Sequence, residues 1–527
     1  MNGARIATKK FLFLCRYSVA PLSRKANTRS LSWFLPNPSY RSSRASFMAT
    51  ASLAIGLAGV GFIWHTNTVH ADSIRYPSKS PAAGADASKF EYLRQAAASH
   101  FVCDDPGIQR FDSIVVPSNF PAEDFISSAF VHLDTHTWSL FSIFDGHNGP
   151  LTSSWLSDNL IPAIVGGLAD LFSKQPPLFD GVEHTSLDSE TTLRLEPPPH
   201  KDIDRALKDA FLRVDNDIVN WAVERAFVSP SKADAVNLLL PAQSGSCALV
   251  SFFDSASRKL RVAVTGDSRA ILGRRVEGHV YEVHVLSLDQ NAYNLAEGER
   301  MSKEHPGETI MANGRVLGWG MSRAFGDATY KWSLEIQKRL HEEYLGDRIP
   351  SKVKTPPYFT AEPEITTTDI RPGDFLIMGS DGLWDCLTNE EVVGLVGLWK
   401  DTHDMTPKET TSSPSEGTGS HHHMITSDFT ADIPYDKDKL VDRESLPVVL
   451  KEDKTAMYPW WRATKKFVNV DANVAAHLAR NALGGADHDL TLGLLTMTPP
   501  RSRQYRDDLS AVVVFFRDDL DHSRPEE

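Results

Sequence analysis

The stretch SIFDGHNGP, Ser142–Pro150, places an aspartate directly after the apolar run Phe141–Phe144, and a glycine directly after the aspartate. Such a run reads as a buried strand, so the Asp145 carboxylate stands at a strand end, where Gly146 lets the backbone turn sharply. A strand end is a rigid place to hold a ligand. Asp145 offers a hard anionic oxygen, the Gly146 carbonyl a second, and His147 an imidazole that exchanges protons near neutral pH. That combination suits a metal-assisted hydrolase; taken alone, it equally suits an ordinary Asp-Gly turn. Around it, Phe125–Val131 and Trp138–Phe144 read as a strand pair bridged by the polar turn Asp134–Thr137. Leu151–Phe172 carries apolar residues at helical spacing and is expected to pack on that pair.

Further along, Pro176–Pro199 is proline-rich and polar, a loop insertion, and Ile203–Ala226 returns to helical periodicity. A strand-rich part follows. SGSCALVSFFD, Ser244–Asp254, and Arg258–Arg275 read as neighbouring antiparallel strands, the second changing direction at Gly266 and Asp267. Val283–Leu286 is a further strand and Asn294–His305 a charged helix. Phe375–Met378 runs into GSDGLWD, a second Asp-Gly at a strand end, which carries Asp381. Glu390–Leu398 and Ala472–Leu483 are helical. RDDLSAVVVFF, Arg506–Phe516, contains a buried strand that begins just after Asp507 and Asp508. Asp401–Tyr458 differs in composition, with Thr, Ser, Gly, Asp and Lys dominant. His421, His422 and His423 cannot all face one metal from a regular element, so this stretch reads as a solvated low-complexity insertion.

The chain has 527 residues, enough for several domains or for one large α/β unit with insertions. A formal charge of −13 and a pI near 5.8 argue against a general nucleic-acid binder, which needs a basic face. The acid is unevenly spread. Met1–Ala71 contains no Asp or Glu but many Arg, Lys and Ser, the composition of a mitochondrial presequence, with a disordered basic tail as the other reading. Residues 1–46 are assigned to that presequence. Phe47–Trp64, uncharged over eighteen residues, is at the lower limit for a membrane span and reads as a transmembrane or sorting segment of the inner membrane. If it is retained, the domain faces the intermembrane space; if it is removed, a matrix enzyme results. Residues 65–98 form a linker and lead-in, 99–517 the main domain with insertions near 173–201 and 401–460, and 518–527 an acidic tail. The cysteines Cys15, Cys103, Cys247 and Cys386 are widely separated and suggest neither a disulfide framework nor a zinc ribbon, so buried free thiols are expected.

Asp145, Asp267, Asp381 and the Asp507–Asp508 pair all occupy strand ends, and Glu123 and Asp124 add a further acidic position. Carboxylates gathered at one edge of a packed sheet repel one another, and cations resolve the repulsion. Oxygen-only ligands point to magnesium or manganese rather than zinc. Two such ions roughly 3.5 to 4 Å apart could share one water and aim it at a phosphoryl group.

IFDGHNG, SGSCA, VTGDSRAIL, SRAFGD, PEI, GSDGLWD and RDDLSAVVVFF follow one another in the order and approximate spacing of the metal-dependent protein serine/threonine phosphatases of type 2C, the PPM family. The resemblance covers about Asn119 to Phe516. It is strongest to the pyruvate dehydrogenase phosphatase catalytic subunits and their fungal mitochondrial relatives, through SLDQNAYNLAEGERMSKEHP, MSRAFGDATYKW and TPPYFTAEPEI. It implies an α+β fold, a four-layer α/β/β/α sandwich with two central, mainly antiparallel sheets. It implies two Mg2+ or Mn2+ ions and a third, weaker site. Asp145 would bridge both ions, with the Gly146 carbonyl on one. Glu123 would hold the metal or its water, with Asp124 beside it; Asp381 and Asp507 would complete the second ion's ligands, and Asp267 and Asp385 would help form the third site. His147 stands where the family has its proposed general acid. The reaction implied is hydrolysis of phosphoserine or phosphothreonine by a metal-bridged hydroxide, on a phosphoprotein such as the E1 alpha subunit of pyruvate dehydrogenase.

One departure is informative. Four residues before Glu123, where most of the family is similar in carrying a phosphate-binding arginine, this chain has Asn119. The pyruvate dehydrogenase phosphatases resemble it in this, and the cation that contacts phosphate is left open. Arg323 falls near family positions close to the catalytic face but is assigned no role, a solvated or structural arginine being at least as good a reading. A catalytically silent, membrane-tethered phosphoprotein-binding adaptor on the same fold is the other functional reading. A serine hydrolase built on Gly245 and Ser246 lacks the spacing of a nucleophile elbow.

Overall fold

The structure, a computed structural model, describes residues 66–69, 86–102, 105–133, 136–173, 177–178, 194–195, 197–403, 424–426 and 440–517. The expected presequence 1–46, the apolar segment 47–64, the tail 518–527, Cys15, Cys103, and His421, His422 and His423 lie outside the described residues. Among the described residues no helix is long and apolar enough to cross a membrane.

In chain order the principal strands are β1 (Thr66–Val69), β2 (Ala97–Val102), β3 (Ile108–Val116), β4 (Phe125–His132), β5 (Thr137–Phe144), β6 (Ala248–Asp254), β7 (Lys259–Thr265), β8 (Arg269–Val276), β9 (Val280–Val285), β10 (Glu364–Asp369), β11 (Phe375–Gly379), β12 (Met424–Thr426) and β13 (Leu509–Phe516). The principal helices are α1 (Asp86–Ala96), α2 (Leu151–Phe172), α3 (His200–Asn216), α4 (Lys232–Gln243), α5 (Leu295–Glu304), α6 (Asn389–Thr402), α7 (Val474–Ala482) and α8 (His488–Thr496). One sheet has the order β1-β4-β5-β6-β7-β10, the other β9-β8-β11-β13-β3-β2-β12. Every ladder in both is antiparallel.

The layers follow from alternation along fully buried strands. In TWSLFSIF every residue of β5 is buried. Trp138, Leu140 and Phe144 point to α2 and α3, whereas Phe141 and Ile143 point to the second sheet. A strand buried on both faces loses the polar-apolar alternation of a half-exposed one, which is why this stretch reads as a continuous apolar run. Between the sheets Phe141 meets Phe111 and Phe130 edge to face, with centroids 5.0 and 5.7 Å apart. The outer face of the second sheet buries Ile114, Ile377 and Val513 against Val393 and Val396 of α6 and Leu478 of α7. Two sheets with a helical layer on each outer face make the four layers of the expected α+β sandwich.

Several local features differ from the sequence reading. The helix expected over Ile203–Ala226 is interrupted by a π-turn, Asp217–Trp221, where the Trp332 indole donates to the Val219 carbonyl at 3.0 Å. The far end of the stretch read as low-complexity is packed: Tyr458 is buried and donates to Asn481 O at 2.6 Å. Nearby, Lys465 and Arg443 both close on the buried Glu391 of α6.

Candidate active site

Antiparallel pairing brings several strand ends to one edge of the sandwich. β5 ends one residue before Asp145, β7 two residues before Asp267 with Gly266 between, β11 two residues before Asp381, and β13 begins one residue after Asp508. The first two belong to one sheet and the last two to the other, so the edge is built by both. Asp145, Asp267 and Asp381 each bring a carboxylate oxygen within 4.8 Å of the others. The Asp381 amide faces Asp145 Oδ2 at 3.4 Å, and the Cys247 amide donates to Asp145 O at 2.8 Å.

Two glycines make this closeness possible. Gly146 has no left-handed φ; a Cβ there would lie 2.2 Å from the Glu123 carbonyl, so the residue is needed for close approach rather than for the turn expected from sequence. Gly266 does take a left-handed φ of +111°, and a Cβ on it would meet Cys247 Sγ at 2.3 Å. The Cys247 thiol in turn lies 3.2 Å from Asp267 Oδ1. Burial, then the charges of Asp267 and Asp145, push it well above the ordinary thiol range, so it stays a neutral thiol.

The carboxylates are mutually strained. Burial, reinforced by Asp381, Asp124 and Asp267, pushes Asp145 well above the usual carboxylate range. Burial with Asp267 and Asp385 does the same to Asp381, and burial with the Asp508 charge raises Asp124 to about 7. Asp267 and Asp385 are raised too, chiefly by burial. Groups in such surroundings ionise together only beside compensating positive charge.

Glu123 and Asp124 are both buried, on the loop between β3 and β4. Glu123 Oε1 accepts from the Gly149 amide at 2.5 Å, and Oε2 accepts from the Asn119 side chain. Asp124 accepts from Ser510 Oγ at 2.8 Å. Asp507 does not join the group of three; Arg503 pairs with its Oδ1. Asp385 lies exposed one helical turn after Asp381.

His147 belongs to a small three-stranded sheet in which Gly146–His147 and Phe325–Gly326 flank Gly245–Ser246. That sheet places His147 Nε2 2.6 Å from Asp327 Oδ2 and its ring 5.3 Å from the Trp319 ring centroid. Burial alone would lower the imidazole pKa, but the Asp327 carboxylate outweighs it and the net shift is upward. Gly245 and Ser246 therefore support the histidine and carry no nucleophilic arrangement.

Three residues of the site were not singled out in the sequence. Asp327 is one, although it lies inside the SRAFGD motif. Arg503 is another. The third is Asp508, read only as a neighbour of Asp507: its Oδ1 accepts from Ser118 N, Ser118 Oγ at 2.8 Å and Asn119 N at 3.2 Å, and its Oδ2 from Glu123 N at 2.7 Å and Asp124 N at 3.2 Å. It moulds the whole acidic loop. Arg323 resolves to the structural alternative, since it is buried with Nε and Nη2 on Glu297.

Crowded carboxylates with neutral thiol and carbonyl neighbours form an oxygen donor set with too little cation of its own, which fits a hard divalent ion. The fold and this acidic edge define a metal-dependent hydrolase of the layered α+β kind. The chain belongs to the protein phosphatase 2C family: the family description "Protein phosphatase 2C" matches residues 111–414. It is 39% identical over 415 residues to a protein phosphatase 2C homolog of Schizosaccharomyces pombe, covering 78% of this chain and 81% of that one. It is 36% identical over 456 residues to the mitochondrial [pyruvate dehydrogenase [acetyl-transferring]]-phosphatase 1 of Saccharomyces cerevisiae, covering 81% and 72%. The human protein of that name is 33% identical over 454 residues, covering 77% of each. The chain is thus a protein serine/threonine phosphatase, of a family that depends on divalent metal.

Proposed function

We propose that this phosphatase acts in the mitochondrion on a phosphoprotein, with the pyruvate dehydrogenase complex as its substrate, and that its site holds two Mg2+ or Mn2+ ions. The observation that carries the metal reading is the convergence of Asp145, Asp267 and Asp381 from both sheets to within 4.8 Å. The substrate and compartment are supported by the names of the yeast and human relatives.

Asp145, the Gly146 carbonyl, Asp381 and Asp507, with Glu123 at the outer side, would hold the ions, while Asp267 and Asp385 would form the weaker third site. Asp124, which accepts from Ser510, would stand beside Glu123 among the metal-site carboxylates. Divalent ions in such a site lower the pKa of water and neutralise charge on the phosphoryl oxygens. The remaining chemistry is proton delivery. His147, held charged by Asp327 on Nε2, would hand a proton from Nδ1 to the departing serine or threonine oxygen.

Purified protein is expected to hydrolyse a phosphoserine peptide with Mn2+ and to stop in EDTA. Asp145→Asn should lower turnover at least about a hundredfold while the circular dichroism spectrum stays native. Chelator-resistant turnover, or wild-type rates in that variant, would exclude the assignment. Protease protection in mitoplasts distinguishes the matrix from the intermembrane space.

A further inference from the structure

We infer that Arg503 is the cation that receives the substrate phosphoryl group in this chain, taking over from the basic residue absent at Asn119; this rests on the phosphatase reading above. Three observations carry it. The Asn119 side chain is committed to Glu123 Oε2 and brings no positive charge. The short turn Ser502–Gln504 is docked on the same loop, because buried Ser502 donates its hydroxyl to the Ser118 carbonyl. Position 503 is thereby fixed beside Asn119. From there Arg503 places Nη1 on Asp507 Oδ1 and Nη2 3.6 Å from Glu123 Oε2, while 34% of its side chain stays exposed. A guanidinium therefore stands at the mouth of the acidic cluster, on the side where Asn119 has left the charge missing.

Exposed Arg315 also bears on the cluster, through Asp385, but other neighbours of like charge are engaged elsewhere. Arg323 is held on Glu297, Arg269 on Asp289 and Asn389, and Arg506 is buried. Arg501, two residues away, lies over the Tyr505 ring at 5.5 Å. One carboxylate oxygen cannot serve both a guanidinium and a divalent cation at short range, since the two cations repel. Were Asp507 to serve a metal, the Arg503 fork would be released toward the mouth. Its planar donors match two oxygens of a phosphoryl group, a geometry that lysine does not reproduce.

The test compares wild type, Arg503→Gln, Arg503→Lys and Arg501→Gln in saturating Mn2+. It reads KM for a phosphoserine peptide, the inhibition constant of inorganic phosphate, and Mn2+ affinity by thermal shift. Arg503→Gln should raise both KM and the phosphate inhibition constant roughly tenfold or more, the effect of losing a charged hydrogen-bonding partner. Arg503→Lys should fall between, Arg501→Gln should stay within about twofold, and adding Asn119→Arg to Arg503→Gln should recover most of the loss. Unchanged phosphate inhibition in a folded Arg503→Gln protein that still turns over with Mn2+ overturns the inference. So does a change confined to Mn2+ affinity, which would make Arg503 only a counterion of Asp507. Should Arg503→Gln fail to fold, wild-type phosphate inhibition in Arg503→Lys overturns it in the same way. Wild-type protein lacking chelator-sensitive turnover would instead remove the phosphatase reading, and this inference with it.

Discussion

At the scale of single residues, neighbouring aspartates do different work. Asp507 faces the mouth, whereas Asp508 is buried and gathers the amides of Ser118, Asn119, Glu123 and Asp124. Asp508→Ala would leave those donors without their acceptor and is expected to cost about 3 kcal/mol or more of unfolding free energy, read by urea titration. Because the loop carries Glu123, metal affinity should fall in the same variant even though Asp508 itself faces no ion. The sequence showed two adjacent carboxylates and could not separate them. What separates them is contact with residues 384 to 390 positions away in the chain, which leaves no local pattern to read. The same limit hid Asp327, whose partner His147 is 180 residues distant. Asp145, Asp267 and Asp381 were legible because each follows its own buried apolar run, a signal that needs no knowledge of partners.

At the scale of elements, α5 shows how a peripheral helix is tied to the site. Its first turn carries Glu297, which accepts from Arg323, from Arg300 at 2.8 Å and from Ser322 Oγ at 2.5 Å. Ser322 and Arg323 lead into Phe325–Gly326, the short strand that ends one residue before Asp327. Burial would raise the Glu297 pKa, but the two guanidiniums and the hydroxyl prevail and hold it down to about 2, against an ordinary 4.5. A carboxyl with a depressed folded pKa stabilises fully above the unfolded value, and that stability is lost as pH falls through the folded one. Glu297→Gln is therefore expected to cost about 3 kcal/mol at pH 7, with the gap to wild type narrowing as pH falls below about 4.5. Chemical denaturation across that range checks it. The helix itself was expected over Asn294–His305 as a charged helix, and the structure adds its cap, Asn294 Oδ1 accepting from Ala296 N at 3.1 Å. By contrast, α4 was not read as a helix: Pro241 lies inside it and its apolar residues mark no single face, so periodicity gave no signal.

At the scale of the whole molecule, the sandwich holds its acidic edge against repulsion. In EDTA, Asp381→Asn should be the more stable protein by about 1 kcal/mol, because it removes a charge that its neighbours oppose. With Mn2+ at a hundred times its dissociation constant, wild type should gain about 2.7 kcal/mol and overtake the variant, as paired thermal melts would show. The four layers were legible from the resemblance and from the doubly buried runs. β12 was not, lying in a stretch whose composition carries no strand signal. One feature of the layout reaches back to synthesis. β13 lies in the middle of its sheet, between β11 and β3, so its nearest partner across the ladder comes from the opposite end of the domain. A ribosome has to release Phe516 before that sheet can close. Until then β3 and β11 have a gap between them, the nascent polypeptide stays unlocked, and Asp507 and Asp508 have not reached the edge they complete. The enzyme thus acquires its reactive centre only as the last strand arrives.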